Sequence, residues 1–235
     1  MQAKYKTVAD DIEKQVLSGL FSDTRKLPTE DELIAIYAVS RNTIRNAIDV
    51  LVRKGIIIPI QGSGMFLRSL FSDDCVNLGN FLGLTKAFPK KKIGTKVLEF
   101  KEIEADEKLA YIMQCEVGTP IHYIERLRLV DNVPYVIEYS YYNKLLVPYL
   151  NMEILRGSIY AFITSDPKKQ LGYVDRVIRA DVLNQHDAEI LGLKAGDPTL
   201  ISENRAMLKS GVIFDYSIDI HNYKNTKFLK LSNFT

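Results

Sequence analysis

Arg126 and Arg128 stand two apart in the run "YIERLRLV", residues 123–130. Alternate residues of an extended chain point to one face, so these two guanidiniums project side by side, roughly 6–7 Å apart. Like charges held that way repel unless an anion joins them. A phosphate or a carboxylate does so through bidentate hydrogen bonds. Ile124 and Val130 flank the arginines, and Leu127 and Leu129 lie opposite, which sets this strand apart from a surface ribbon of alternating charge. A second such set is "SRNTIRNAI", residues 40–48. It puts Arg41 and Arg45 one helical turn apart, with Asn42, Thr43 and Asn46 beside them and a thin seam of Ile44, Ala47 and Ile48. Arginine can pair bidentately with guanine, and asparagine with adenine, in the major groove of DNA.

The elements that position these residues differ between the two halves of the chain. In the first 55 residues the apolar period is helical. Tyr5, Val8, Ile12, Val16 and Leu17 recur on one face, ending at Gly19. Thr29 with Glu32 three residues on spells a capping box, which starts a second helix with Leu33, Ile36 and Tyr37 as its apolar face. Ser40 caps a third, with Ile44, Ala47, Ile48, Leu51 and Val52 buried and Gly55 as its stop. Only Ala38 and Val39 separate the second and third helices, a junction that suits a helix-turn-helix. "IIIPI", the turn "QGSG" and "MFLRSL" then read as a β-hairpin whose tip carries Gly62 and Ser63. Three helices and a hairpin make a winged helix-turn-helix.

From residue 95 the period is two, and the chain repeats itself. Residues 106–140 parallel 185–217: a short helix, a Gly-x-Pro turn, a strand, a polar turn and a second strand. Gly118 and Pro120 match Gly196 and Pro198 at an offset of 78, and Glu138 matches Asp215 at 77. The simplest reading is a duplicated helix–hairpin unit forming one antiparallel sheet around a shared crevice. Arg126 and Arg128 have Asn204 and Ala206 as counterparts, so the second copy has lost its cations.

Bulk composition bounds the reading. A hydrophobic content of 46% with 26% charged residues describes an ordinary soluble globule, and no apolar run is long enough to cross a membrane. The N-terminus lacks the apolar core of a signal peptide, so the expected location is cytoplasmic, with no membrane partner. Cys75 and Cys115 are not spaced as a metal pair, and His122, His186 and His221 are scattered; no metal and no cofactor are expected. Net charge is only +2, and residues 1–67 carry nine Lys/Arg against eight Asp/Glu. A DNA footprint must therefore come from where the arginines point.

Together these patterns resemble the GntR superfamily of bacterial transcription regulators. The resemblance runs from Tyr5 through "LPTEDEL" (27–33), "VSRNTIRNAIDVL" (39–51), "KGII" (54–57) and "QGSGMFL" (61–67). The second half looks like the UTRA ligand-binding domain of the HutC-type branch, on "YIERLRLVDNVPYVIEYSYY" (123–142), "GSIYAFI" (157–163), "AEILGLKAGDP" (188–198) and "FDYSIDIHNYKNTKF" (214–228). The resemblance implies an α+β protein: a winged helix-turn-helix at 1–68, a linker leading into the second domain at 69–90, and a chorismate-lyase-like α/β domain with an antiparallel sheet at 91–235. It also implies a homodimer on a palindromic operator in double-stranded DNA. Repression of a carbohydrate or amino-sugar operon would be relieved by a small anionic effector such as a sugar phosphate.

On that resemblance Arg41, Asn42, Thr43 and Arg45 contact DNA, with Asn46 alongside and the wing tip Gly62–Ser63 near the backbone or minor groove. Arg126 and Arg128 hold the effector's anionic group, and Ser158 and Tyr160 line that end. Glu138, Asp215 and Tyr223 read ligand hydroxyls, which are donors that suit carboxylate acceptors. Three of them have a plainer competing role: a helix cap for Ser158, a core aromatic for Tyr160, an ion pair to Arg126 or Arg128 for Glu138. Asp31 departs from the family pattern, which often has arginine there, and Asn80 and Gly83 depart in the segment "LGNFLGL". The alternative is a lyase-like enzyme acting on a small carboxylate, but no activated nucleophile or acid–base pair stands near the arginine strand.

Overall fold

A computed structural model of the chain describes residues 3–21, 23–68, 74–78, 83–167 and 169–230. They fall into two compact units: Met1–Asn80 with Phe228–Thr235, and Phe81–Lys227.

The first unit opens with three helices, α1 (Lys4–Leu17), α2 (Glu30–Tyr37) and α3 (Arg41–Arg53). Local chemistry sets their ends. Thr29 Oγ1 accepts from Glu32 N at 3.3 Å while the Glu32 carboxylate accepts from Thr29 N at 2.7 Å, which closes the capping box. Ala38 turns left-handed at φ 50° and ends α2, and Ser40 Oγ then accepts from Thr43 N at 3.3 Å to start α3. Val8, Ala9 and Ile12 of α1, Leu33 of α2 and Ile44, Ala47, Ile48 and Leu51 of α3 bury one core with Leu27, Ile57 and Met65. Ile36 is not in it. Leu33, Ile34 and Tyr37 define the packed arc, and at about 3.6 residues per turn Ile36 rotates out of it, 61% exposed.

Strands β1 (Ile57–Ile60) and β2 (Gly64–Leu67) form the antiparallel wing, with Ile60 opposite Gly64. Gly62 at the tip has φ 76°, a conformation that costs other residues a Cβ clash. The end of the second run, Ser69–Leu70, and part of the 69–90 connector including Asn80 lie outside the described residues. A short strand β3 (Val76–Asn77) follows.

The second unit runs α4 (Leu84–Ala87), β4 (Ile93–Glu104), α5 (Glu107–Met113), β5 (Pro120–Val130), β6 (Val133–Asn143), α6 (Met152–Arg156), α7 (Ile159–Ser165), β7 (Leu171–Val182), α8 (Gln185–Leu191), β8 (Pro198–Leu208) and β9 (Ile213–Asn222). Its six strands make one antiparallel sheet in the order β4-β5-β6-β9-β8-β7. That order is a two-fold repetition, β4-β5-β6 against β7-β8-β9, joined through β6 and β9. The turns repeat at the level of single hydrogen bonds. Gly118 N donates to Ala105 O and Gly196 N to Leu183 O, both at 2.8 Å, with φ 83° and 85°. The pair Arg126–Glu138 maps onto Asn204–Ser217, offsets of 78 and 79 in place of the expected 77 for the second strand, so the local dyad passes between the paired Tyr139 and Ile218.

Alternation sorts the sheet's two faces. Leu109, Ala110 and Met113 of α5 and Ala188 and Leu191 of α8 pack on one, against Ile121, Leu127, Ile137, Ile201 and Ile220. Leu155 of α6 with Ile159 and Ile163 of α7 pack on the other, against Ile124, Tyr142 and Ala206.

The second unit starts at Phe81, within the stretch 69–90 expected as linker and domain entry, so Gly83–Thr85 belong to the sheet domain. It ends at Lys227, because β10 (Phe228–Leu229) pairs in parallel with β3 of the first unit. A two-residue strand with a partner some 150 residues away has no periodicity to announce it. No helix among the described residues is long and apolar enough to cross a membrane.

Candidate functional site

The polar face of the sheet closes into a cavity under α4 and α7. Its lining includes six of the seven residues expected for an effector: Arg126, Arg128, Glu138, Ser158, Tyr160 and Asp215. Strand alternation delivers them. The row Arg126–Glu138–Asp219 crosses β5, β6 and β9, and the row Ser140–Ser217–Asn204–Arg176 crosses β6, β9, β8 and β7. Tyr223 is not among the lining residues. It sits in the turn after β9, 38% exposed, with Lys224 Nζ 5.6 Å from its ring centre.

Both arginines are buried and converge on one carboxylate. Arg126 Nη2 donates to Glu138 Oε2 at 2.6 Å, and Arg128 Nη1 donates to Glu138 Oε1 at 3.3 Å. Arg126 Nη1 donates to the Leu155 carbonyl at 2.9 Å, and Arg128 Nη2 to Thr85 Oγ1 at 3.3 Å. The Nε atoms of both arginines are buried without a hydrogen-bond partner. Burial alone would lift the Glu138 carboxyl. The charges of Arg126 and Arg128 and their hydrogen bonds outweigh it and hold the group below the usual carboxylate range.

The other end of the cavity is acidic and hydrogen-bonded. Tyr160 OH donates to Asp215 Oδ2 at 2.6 Å, while Asp215 Oδ1 is buried with no acceptor role filled. Asn204 Nδ2 donates to Asp219 Oδ2 at 2.9 Å and to Ser217 Oγ at 3.2 Å, and Arg176 Nε donates to Asn204 Oδ1. Burial pushes both Asp215 and Asp219 up to about 7, helped in each case by the Glu138 charge. Burial likewise holds the Tyr160 phenol well above its ordinary value.

Several of these positions escape sequence reading. Thr85 falls in the expected linker and domain entry, and Arg176 lies on an edge strand with no motif. Asn204 stands in the place of Arg126, and β7, which lies outside the repeat 185–217, supplies Arg176 beside it. The signal that could have found Ser140, Ser217 and Asp219 is the period of two itself, continued from Glu138 and Asp215. Ser158 fills its plainer role as well, since its Oγ accepts from Ala161 N at 3.2 Å as the cap of α7.

In the first unit Arg41, Asn42, Arg45 and Asn46 are all exposed on the first turns of α3, and Thr43 is half-buried. Gly62 and Ser63 are exposed at the wing tip. The arginines do not stand alone: Arg41 pairs with Asp31 at 2.5 Å and Arg45 with Glu30 at 3.1 Å.

A winged helix-turn-helix joined in one chain to a sheet domain with a polar-lined cavity defines a class: a DNA-binding regulator with a ligand-binding domain. Comparison with known proteins makes it particular. Residues 4–67 match the bacterial regulatory proteins of the gntR family, and residues 90–227 match the UTRA domain. The chain is 32% identical over 232 residues to the HTH-type transcriptional regulator GmuR of Bacillus subtilis, spanning 97% of each. It is 27% identical over 228 residues to the mannosyl-D-glycerate transport/metabolism system repressor MngR of Escherichia coli, spanning 95% of this chain and 93% of that one. The crystal structure of the possible transcriptional regulator YydK from Bacillus subtilis superposes with a TM-score of 0.82 at 30% identity, covering 99% of this chain and 100% of that one. The chain belongs to the GntR family of DNA-binding transcription regulators, in the HutC-type branch that carries a UTRA domain.

Proposed function

We propose that this regulator represses genes for uptake or breakdown of a carbohydrate or amino sugar and leaves its operator when a small anionic effector, such as a sugar phosphate, enters the sheet cavity. The observation that carries this reading is the convergence of buried Arg126 and Arg128 on a single carboxylate. Two guanidiniums sharing one charge form an anion site already built, and a phosphate brings a second charge and further acceptor oxygens to it. With Glu138 occupying the pair, the incoming anion takes its place or shares the donors that remain, among them the two Nε atoms. Asp215, Asp219 and Asn204 then meet the hydroxyl end of the ligand. The similarity to MngR, a repressor of mannosyl-D-glycerate transport and metabolism, supports the class of gene.

In this reading a homodimer binds a palindromic operator, with Arg41, Asn42, Thr43, Arg45 and Asn46 in the major groove and Gly62–Ser63 at the backbone. Effector binding favours a dimer geometry in which the two recognition helices no longer match the half-sites. The test is a thermal-shift titration with glucose 6-phosphate and glucosamine 6-phosphate, against wild type and Arg126→Ala, with circular dichroism to confirm that the variant is folded. One of these phosphates raises the wild-type midpoint and leaves the variant unmoved. Equal shifts in both proteins would remove the arginine pair from the site.

A further inference from the structure

The recognition helix does not offer free arginines to DNA. Arg41 Nη2 donates to Asp31 Oδ1 at 2.5 Å, Arg41 Nη1 lies 3.6 Å from Glu30 Oε2, and Arg45 Nε donates to the same Glu30 oxygen at 3.1 Å. The four side chains form a continuous chain, Asp31–Arg41–Glu30–Arg45, across the junction of α2 and α3. Both acids stand in the first turn of α2, where the helix dipole favours negative charge, so their place is set independently of the arginines.

Stability is a poor explanation for this chain of pairs. Asp31 is 76% and Arg41 53% exposed at the side chain, and exposed pairs contribute about 0–1 kcal/mol. The consequence lies in DNA binding. Phosphate attraction is the same on every sequence and rises with the positive charge a protein presents. A carboxylate 2.5 Å from Arg41 subtracts from that attraction. Base readout is different in kind, because it depends on the direction of a planar guanidinium. Asp31 engages one Nη of Arg41 and limits the rotamers of the rest, so less freedom is lost when the remaining donors meet a base edge.

We infer that Asp31, with Glu30, is a specificity-determining residue: it clamps the recognition arginines, lowering affinity for arbitrary DNA while holding Arg41 for base readout. This stands on the first unit alone and is independent of the effector. Among the described residues Asp49, an exposed acid on the same helix, pairs with neither arginine, so it offers a control with equal charge and no clamp.

The experiment uses the full chain, its Asp31→Asn variant and its Asp49→Asn variant. The wild type first selects a duplex from a random-sequence pool. Fluorescence anisotropy then gives the affinity of each protein for the selected duplex and for the unselected pool. Asp31→Asn binds the pool more tightly, and its preference for the selected duplex falls by roughly fivefold or more, the lower range for one oriented base contact. Asp49→Asn tightens both and keeps the preference. If Asp31→Asn also keeps the preference, the acid is only a charge and the inference is overturned. It is equally overturned if Asp31→Asn does not tighten binding to the pool, or if no sequence is enriched by the wild type.

Discussion

Glu138 stands where two roles expected from sequence meet. As an isolated residue on a strand it could read ligand hydroxyls or neutralise arginine. The register decides for the ion pair, because Arg126 lies directly opposite it and Arg128 within reach. Its two acidic neighbours titrate differently. Asp215 and Asp219 have folded values of about 7 against an ordinary 3.8, so the folded chain holds more protons than the unfolded one between those limits. Stability from these groups is therefore greatest at acid pH and is lost as pH rises through 7. His221, pushed down to about 3 by burial and the Arg176 charge, works oppositely, with its main effect below its ordinary 6.5. From pH 6.5 to 8 the two acids outweigh it. Thermal midpoints of the wild type should fall over that range, and Asp215→Asn with Asp219→Asn together should flatten the fall. An unchanged slope in the double variant would place the titration elsewhere.

Among elements, those defined by their own ends were legible. The capping box at Thr29, the Ser40 cap and Gly62 act within four residues, so spacing alone places α2, α3 and the wing. Ile36 was not legible, since which side of an eight-residue helix is covered depends on where α1 and α3 lie. The edge strand β7 is the least legible element of the sheet and carries Arg176 into the cavity. Its start is pinned at Gly172, where a Cβ would sit 2.7 Å from the Leu208 carbonyl oxygen and from Lys209 Cα. Those are backbone atoms that cannot swing aside. Gly172→Ala should destabilise the protein by about 1–3 kcal/mol, measured by urea unfolding, as other overpacking changes do. A variant as stable as wild type would mean that β7 shifts freely against β8.

For the whole molecule, two sites in one chain must be linked in both directions if the proposed regulation holds. An effector that weakens DNA binding by some factor, typically about 5–150-fold for such couplings, must itself be bound more weakly by that same factor once DNA is present. Titrating the effector with and without a selected duplex measures this directly. Equal effector affinity in the two titrations would show that the cavity does not control the operator.

The sequence by itself determined the order of the two domains, the capped helices and wing of the first, the strand period and duplication of the second, and the pairing of Arg126 with Arg128 on one face. These are all consequences of local spacing, which the chain carries wherever it folds. Tertiary structure alone decided which residues share the cavity with the arginines. Thr85 comes from before the sheet, Arg176 from its far edge and Ser158 from a covering helix, brought together by strand order and register across more than 90 residues of chain. Asp31 and Glu30 likewise gained their partners only when α2 and α3 packed across the turn. Side-chain chemistry announces what a residue can bind; distance in the folded chain selects what it does bind.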